Sequence, residues 1–319
     1  MSLGEFDLIA KYFTRPVRWA GLGIGDDCAL LHPTPGMQLA VSSDMLVEGR
    51  HFLSTVAPDR LGHKALAVNL SDLAACGATP RAFTLALSLP RADETFLAGF
   101  AHGLFALAET HGIELVGGDT TQGPLNICIT VFGELPTGQA LLRSGAQPGD
   151  ELYVSGCVGD ARLALEVFRG QLSLDANAFE SVRRAMECPQ PRVALGQALR
   201  GLASCAIDVS DGLLGDLGHV LRRSGVAAVV DADAVPRSAV LRAQTLAWQR
   251  ECTLAGGDDY ELLFTAAAQH AEPVQQAARR AGVAVTRIGR IEAGSGVRLV
   301  DGQGRAVEQR FASFDHFRS

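Results

Sequence analysis

Residues 41–52 read Val-Ser-Ser-Asp-Met-Leu-Val-Glu-Gly-Arg-His-Phe, and our interpretation of the chain starts from them. Residues 38–41 alternate polar and apolar side chains, which is typical of a strand that enters a core. We expect the strand to end there, so that Ser42, Ser43 and Asp44 gather their oxygens at its terminus. Such oxygens suit a hard cation such as Mg²⁺. Taken alone, however, a Ser-Ser-Asp sequence more often indicates a turn or a helix cap.

The composition restricts the class of protein. The chain has 319 residues, 47% of them hydrophobic, with a formal net charge of −7. This length favours two domains. Lysine occurs only at Lys11 and Lys64 and no basic run is present, so we expect no nucleic-acid partner. The sequence lacks a membrane-spanning apolar run and a signal-peptide pattern, and its seven cysteines are scattered. We therefore predict a reduced cytoplasmic enzyme without a membrane partner.

Strands and helices alternate in both halves of the sequence. Apolar periodicity predicts helices over residues 4–13, 59–76, 93–111, 213–223, 238–250 and 271–281. It predicts strands over residues 82–89, 114–121, 126–135, 151–155, 206–212, 226–230 and 262–266. Turn residues near 136–148 separate the halves, and we place two domains at residues 1–140 and 141–319. The expected fold class is α/β or α+β, with mixed sheets flanked by helices.

Acidic residues recur where apolar strands end or where glycines form a turn. They are Asp26, Asp27, Asp44, Asp72, Asp119, Asp208, Asp211, Asp258 and Asp259. If they converge, each pair of bare carboxylates at about 4 Å costs about 4 kcal/mol at an effective dielectric of about 20. Divalent cations would reverse that repulsion and create a seat for a polyphosphate. Each residue also has a simpler interpretation: a flexible turn for Asp26 and Asp27, a solvated helix face for Asp72, and a helix N-terminus for Asp211.

Other nucleotide-binding plans do not fit the sequence. Residues 21–27 resemble a dinucleotide loop, but Asp26 stands where a third glycine is needed and no strand precedes the loop. Neither lysine lies in a Walker A motif, because Lys64 is followed by alanine. Protein-kinase motifs are also missing from the sequence.

Eight motifs, in this order, resemble the thiamine-monophosphate kinase family. They are GEFDLIAKYF (4–13), GIGDDCALL (23–31), SSDMLVEGRHF (42–52), KALAVNLSDLAACGATP (64–80), GGDTT (117–121), RSGAQPGD (143–150), AIDVSDGL (206–213) and GGDDYELLFT (256–265). The resemblance extends to Asp315-His316-Phe317 and so covers nearly the whole chain. This family lies in the aminoimidazole-ribotide synthetase superfamily of ATP-binding proteins, so the resemblance implies that superfamily's two-domain fold.

The resemblance implies the phosphorylation of thiamine monophosphate to thiamine diphosphate, with ATP as co-substrate and several Mg²⁺ ions. The acceptor would be a phosphate oxygen, which is largely ionised at neutral pH because the second pKa of a phosphate monoester is about 6. A general base is therefore unnecessary, and positioning with charge neutralisation would carry the in-line transfer. The resemblance also implies a homodimer that forms through the N-terminal sheets.

The family's functional residues transfer to this sequence position by position. Those that resemble metal ligands are Asp27, Ser42, Ser43, Asp44, Asp72, Asp119, Asp208 and Asp211, of which Asp72, Asp119 and Asp211 would be catalytic. Those that resemble nucleotide contacts are Gly118, Asp119, Arg143 and Ser210. Those that resemble thiamine-phosphate contacts are His51, Asp258 and Phe317.

Two positions depart from the family pattern, and two other functions stay open. Phe105 stands where the family often has tyrosine, and Asp258 where it often has glutamate. Another superfamily activity, of selenophosphate synthetase or ribotide cyclase type, is one alternative, although the first cysteine, Cys28, lies inside the acidic loop. A nucleotide-binding module without catalysis is the other; the intact carboxylates at Asp72, Asp119 and Asp211 argue against it.

Overall fold

The computed structural model describes residues 4–309 and residue 311. Within them the chain forms two units. The N-terminal unit contains the described residues up to Leu73 together with Ala78–Gly138. The C-terminal unit contains Ala74–Gly77 and the described residues from Gln139 onwards.

The N-terminal unit is a four-stranded sheet with helices. Its elements are α1 (Glu5–Leu8), a π-helical turn (Ile9–Phe13), β1 (Met37–Val47), α2 (Pro58–Ala75), β2 (Thr79–Leu89), α3 (Glu94–His111), β3 (Glu114–Gln122) and β4 (Asn126–Pro136). The strand order is β1-β4-β2-β3, in which β4 is antiparallel to both neighbours and β2 is parallel to β3. The edge strands are thus β1 and β3.

Helix α3 shows why the sequence folds this way locally. The Asp93 carboxylate accepts hydrogen bonds from the backbone N–H groups of Thr95 and Phe96, which caps the first turn. Gly112 ends the helix in the left-handed conformation that glycine adopts without strain. The apolar face between them is buried and includes Phe100 and Leu104. The predicted helix over 93–111 is confirmed.

Strand β1 differs from the prediction because it does not end at Val41. It continues to Val47, and each residue of the Ser-Ser-Asp sequence has a partner on β4, with Ser42 opposite Val131 and Asp44 opposite Ile129. An edge strand tolerates polar side chains because much of it faces solvent. The three oxygens therefore lie along a strand, with side chains on alternating faces, rather than together at its end.

The C-terminal unit is a six-stranded sheet with helices. Its elements are β5 (Asp150–Ser155), α4 (Asp160–Phe168), α5 (Ala176–Glu187), α6 (Val193–Leu199), β6 (Ala203–Asp208), α7 (Leu213–Ser224), β7 (Ala227–Asp231), α8 (Ala239–Arg242), α9 (Leu246–Ala255), β8 (Leu262–Ala267), a 3₁₀ turn (Ala268–His270), α10 (Ala271–Ala281), β9 (Val285–Glu292) and β10 (Gly296–Val300). The strand order is β10-β7-β9-β5-β8-β6. Leu152, Ile207, Leu217 and Leu263 belong to the core that the sheet shares with α7.

Two predicted elements of the C-terminal unit are wrong in extent. The helix expected over residues 238–250 is two helices, because Thr245 accepts a hydrogen bond from the Trp248 N–H and starts α9 afresh. The strand expected over 206–212 ends at Asp208, so Asp211 lies in the connection to α7. The overall plan of mixed sheets flanked by helices is confirmed. Over the described part of the chain, no helix is both long and apolar enough to cross a membrane.

Candidate active site

A pocket of about 800 Å³ opens in the N-terminal unit beside strand β3. The N-terminal helical segment, residues 24–29 and the exposed edge of β3 line it. Three predicted site residues, Asp27, Gly118 and Asp119, belong to this lining. Both carboxylates are exposed to solvent, which leaves them available to a ligand. The pocket therefore has acidic side chains beside β3, whereas its helical wall is mainly apolar, with Phe6, Ile9 and Phe13 next to Glu5.

Gly118 cannot carry a side chain at this wall. Its φ angle is +149°, and a Cβ atom added there would lie 1.8 Å from the carbonyl oxygen of Leu85 on strand β2. At the neighbouring Gly117 the nearest contact of an added Cβ would be Thr84 Cγ2 at 3.8 Å, an ordinary van der Waals distance. Only the second glycine of the Gly-Gly-Asp sequence is thus demanded by the fold.

A second group of predicted residues lies where β1 meets α2. The Ser42 hydroxyl donates to Asp72 Oδ2 at 2.5 Å, and the Asp44 N–H donates to Asn69 Oδ1 at 3.0 Å. Asn69 is buried and donates to the carbonyl oxygen of Ala65, so its orientation is fixed from two sides. Asp72 is partly exposed. The helical spacing that places Asn69 and Asp72 one turn apart thus brings both towards β1.

The Ser43 hydroxyl and the His51 ring form other hydrogen bonds. Ser43 is on the opposite face of β1, where its hydroxyl bonds to Thr130 Oγ1 at 2.9 Å and to the carbonyl oxygen of Ile129. The structure does not bring the Ser43 hydroxyl to Asp72. His51 follows the end of β1, and its Nδ1 accepts the Val47 N–H at 3.0 Å. This bond fixes the ring of His51 over a tight turn.

In the C-terminal unit a buried carboxylate holds the second acidic loop. Asp216, in the first turn of α7, accepts hydrogen bonds from the N–H groups of Ser210 and Asp211, both at 3.1 Å. Burial, with a contribution from the charge of Asp211, raises the pKa of Asp216 to about 7. Asp208, at the end of β6, is also buried. The sequence analysis missed Asp216, since an acidic residue in a first helical turn is explained by the helix dipole.

The charges of Arg143 and Asp211 both shift the pKa values of Asp216 and His219. The positive charge of Arg143 lowers the pKa of Asp216, and it also acts on His219. The pKa of His219 is lowered by burial and then by Arg222 and Arg143, while Asp211 raises it. The predicted nucleotide cation and the predicted metal ligand are therefore close enough to act on the same two groups.

The turn before β8 is strained and tightly bonded. Asp258 and Tyr260 have φ angles of 69° and 53°, and they are the non-glycine residues with positive φ in the part of the chain described. Each such residue costs on the order of 1 kcal/mol, and strain of this kind concentrates at functional sites. The Asp258 N–H donates to the Ser210 carbonyl at 2.8 Å, and the Tyr260 N–H to the Val209 carbonyl at 2.9 Å. The turn and the acidic loop therefore form one bonded structure.

The donors suit magnesium in type, although they do not form a preassembled cage. They are carboxylate and hydroxyl oxygens, which Mg²⁺ prefers. Within residues 4–309 and 311, no group of three or more His, Cys, Asp or Glu side chains is close enough to hold a metal ion. Asp27, Asp119, Asp44 and Asp72 belong to the N-terminal unit, and Asp208 and Asp211 to the C-terminal unit. Phe317 lies outside the described residues.

Two family models match this chain. Residues 25–135 match the N-terminal domain of AIR synthase related proteins, and residues 147–302 match the C-terminal domain. Together these matches cover most of the sequence.

Curated and solved relatives agree with the family models. The chain is 46% identical over 329 aligned positions to the thiamine-monophosphate kinase of Salmonella typhimurium, with 99% of each chain covered. It is similar to the crystal structure of the thiamine-monophosphate kinase from Stenotrophomonas maltophilia K279a, with a TM-score of 0.85, 48% identity, and 91% and 92% of the two chains covered. The structure of AaThiL complexed with AMPPCP and TMP is similar with a TM-score of 0.78, 30% identity, and 90% and 89% coverage.

Proposed function

The chain belongs to the AIR synthase related family and, within it, to the thiamine-monophosphate kinases, and we propose the residues by which it acts. Its reaction is the transfer of a phosphoryl group from ATP to thiamine monophosphate, which gives thiamine diphosphate and ADP. The observation that carries this function is the 46% identity over the full length of a curated thiamine-monophosphate kinase. The family, fold and activity predicted from the sequence are confirmed.

We propose that the nucleotide binds in the N-terminal pocket. The pocket volume of about 800 Å³ is in the range of small-molecule sites, and the helical wall of the pocket is mainly apolar. Gly118 has no side chain, and the structure leaves no room for a Cβ atom at this position, so a ligand can approach the backbone of β3 closely. Within the C-terminal unit, the residues that we propose as nucleotide contacts are Arg143 and Ser210, and the Arg143 guanidinium would oppose phosphate charge.

Magnesium is the proposed metal, since every proposed ligand offers oxygen. Bound Mg²⁺ would neutralise phosphate charge during transfer. The proposed ligands within the N-terminal unit are Asp27, Ser42, Ser43, Asp44, Asp72 and Asp119, and within the C-terminal unit Asp208 and Asp211. Ser43 could contribute only its main chain next to Ser42, because its hydroxyl lies on the other face of β1.

The chain itself has to orient two polyanions, and its chemistry fits that task. The acceptor phosphate needs no general base, because it is largely ionised at neutral pH. The bond from Ser42 fixes one oxygen of Asp72, leaving that carboxylate oriented before any ligand binds. We assign catalytic roles to Asp72, Asp119 and Asp211, of which the last is held by the backbone bonds to Asp216.

The thiamine side is assigned to His51, Asp258 and Phe317. An aromatic ring at Phe317 would pack on the thiamine heterocycles and attract the thiazolium cation. Phe317→Ala should therefore raise the KM for thiamine monophosphate by about tenfold, equivalent to about 1.4 kcal/mol, and change the KM for ATP much less. Steady-state kinetics with each substrate varied in turn would measure the two constants. Equal effects on both would remove Phe317 from the thiamine site.

We also propose a homodimer formed through the face of β1 that carries apolar side chains. Leu39, Val41 and Met45 lie on one face of this edge strand, and their exposed fractions are 41%, 58% and 54%. Exposed apolar side chains along one face of an edge strand are a liability for a monomer. Val41→Glu should convert a dimer to monomers in sedimentation velocity, whereas Leu246→Glu, on an exposed apolar residue of the other unit, should not. A wild-type monomer at micromolar concentration would contradict the proposal.

The cytoplasmic location stays a prediction from the sequence.

The activity is tested by incubating the purified protein with ATP, Mg²⁺ and thiamine monophosphate and measuring thiamine diphosphate and ADP in equal amounts. Turnover of a ribotide substrate instead would favour another activity of the superfamily. Binding of ATP without turnover of either substrate would favour a non-catalytic module.

A further inference from the structure

The turn between α9 and β8, residues 256–261, is held from one side by a carboxylate that has no role in the proposed contacts. Asp259 accepts the backbone N–H of Gly159, at 2.8 Å to Oδ1 and 3.0 Å to Oδ2. Gly159 is the residue that starts helix α4. Asp259 is partly exposed as a residue, but its carboxyl group is buried. This burial raises the pKa of Asp259 well above the usual range, and the charges of Asp160, Glu261 and Asp258 raise it further.

The two residues that flank Asp259 are those that carry the strain. Asp258 and Tyr260 both have positive φ, and a tyrosine adopts that conformation only when its surroundings impose it. The opposite side of the turn is fixed by the N–H groups of these same residues, which donate to the carbonyls of Ser210 and Val209. At the end of the turn, Glu261 accepts hydrogen bonds from Ser155 and Arg192, and the side chain of Asp259 attaches the turn to the start of α4.

Space around the turn leaves little freedom for another arrangement. A Cβ atom at Gly257 would lie 2.2 Å from the carbonyl oxygen of Ser210, and one at Gly256 would lie 2.2 Å from the carbonyl oxygen of Cys252. The turn is thus pressed between the end of α9 and the acidic loop. Loss of the bond to Gly159 would remove the attachment of the turn to the start of α4.

We propose that Asp259 is a positioning residue for thiamine monophosphate: its bond to Gly159 holds the strained turn so that Asp258 faces the substrate. This proposal rests on the proposed function, in which Asp258 contacts the thiamine substrate. Through the bonds to Val209 and Ser210, the same turn keeps the acidic loop in place.

The experiment compares Asp259→Ala with Asp259→Asn and a matched control. The control is Asp150→Asn, another buried carboxylate of this unit that accepts a backbone N–H, from Gln147, at the far end of β8 where Asp150 pairs with Ala267. Asp259→Ala should raise the KM for thiamine monophosphate about tenfold and the KM for ATP less than about threefold, since a displaced contact weakens only the ligand it touches. Asp259→Asn keeps one acceptor oxygen and should show a smaller effect in the same order. The control should move neither constant selectively.

Hydrogen exchange gives a readout that does not depend on activity. In Asp259→Ala, peptides spanning residues 156–160 and 255–262 should exchange faster than in wild type, and in Asp150→Asn they should not. Unchanged exchange in these peptides, or equal changes in both KM values, would overturn the proposal. If Asp259→Ala does not fold, the same two measurements on Asp259→Asn decide it. Failure of wild-type protein to phosphorylate thiamine monophosphate would refute the proposed function, while the exchange result would still decide whether Asp259 anchors the turn.

Discussion

The acidic segments of the two units are held in different ways. In the N-terminal unit, Asp27 and Asp119 are exposed along an open pocket, and the decisive local constraint is a glycine, Gly118, packed against the Leu85 carbonyl. In the C-terminal unit, the loop with Asp211 is fixed by the buried carboxylate of Asp216, and the neighbouring turn by Asp259. One unit presents exposed carboxylates along a pocket beside a strand edge, and the other holds a loop and a turn in place through side chains that accept backbone N–H groups. Substitutions should therefore fail for different reasons in the two units.

The largest effect is expected where a carboxylate of the N-terminal unit is neutralised. Asp72→Asn should lower kcat by about 100-fold or more, because a charged oxygen proposed to hold Mg²⁺ is lost, while the partly exposed site tolerates the change in structure. Steady-state turnover with circular dichroism would measure both. Asp59→Asn, the same substitution at an exposed position of the same helix, is the control and should retain wild-type turnover. Wild-type kcat in Asp72→Asn would exclude Asp72 from the site.

The next effect separates two adjacent glycines. Gly118→Ala should lower the free energy of unfolding by about 3 kcal/mol or more and weaken ATP binding, because the new Cβ atom overlaps the Leu85 carbonyl. Gly117→Ala should cost no more than about 1 kcal/mol, as its Cβ has ordinary contacts. Urea unfolding and calorimetric ATP titration would test the pair. Equal stability of the two variants would show that the strand edge is not constrained as the structure describes.

A smaller effect is expected in the C-terminal unit. Asp216→Ala leaves the N–H groups of Ser210 and Asp211 without their acceptor, which should cost about 1 to 3 kcal/mol and lower kcat. Asp216→Asn retains an acceptor oxygen and should recover about half of the lost stability. Thermal unfolding and turnover would be measured for both variants. If Asp216→Ala lost stability but kept full turnover, the bonds would support the fold without positioning Asp211.

The smallest effect is a pH dependence that differs in sign between two carboxyls. Burial raises the pKa of Asp160, against the bond from Ser238, so the folded state holds that proton to higher pH than the unfolded chain. The contribution of Asp160 to stability therefore falls as the pH rises from about 4. Over that range the Tm of Asp160→Asn should increase relative to the Tm of wild type.

The hydrogen bond from Arg305 lowers the pKa of Asp301, which gives the opposite sign. The Tm of Asp301→Asn should decrease relative to the Tm of wild type as the pH rises from about 3 to 5, because the stabilising carboxylate charge forms only in wild type. Differential scanning calorimetry at pH 3 to 8 would measure both variants. The same trend in both would contradict the assignment of burial as the cause at Asp160.

Much of the fold follows from local sequence signals. Asp93 and Gly112 mark the ends of α3 correctly, because capping depends on hydrogen bonds formed within a few residues. The Ser42–Asp44 sequence was misread as a strand end, since its place in the sheet depends on pairing with the distant strand β4. The break between α8 and α9 was also missed, although Thr245 is a residue that often starts a helix.

The candidate site is less predictable from sequence than the fold. The motifs named Asp27, Gly118 and Asp119, and the structure places these three in one pocket. Asp216 was not singled out, and Asp259 was counted only among the recurring acidic residues. The bonds of these side chains to backbone N–H groups depend on burial and, for Asp259, on a partner far along the chain, Gly159. Periodicity and motif spacing carry no information on which acidic side chain will turn inward to bond to main-chain N–H groups.

The position of β3 at an edge of its sheet has a consequence for inhibition. Its pairing with β2 occupies one side of the strand, and the pocket runs along the residues from Gly117 to Thr120. A compound that hydrogen bonds to the main chain here would depend on groups that every amino acid shares. Resistance by a point mutation at Gly118 would then be excluded, since that position does not accept a side chain.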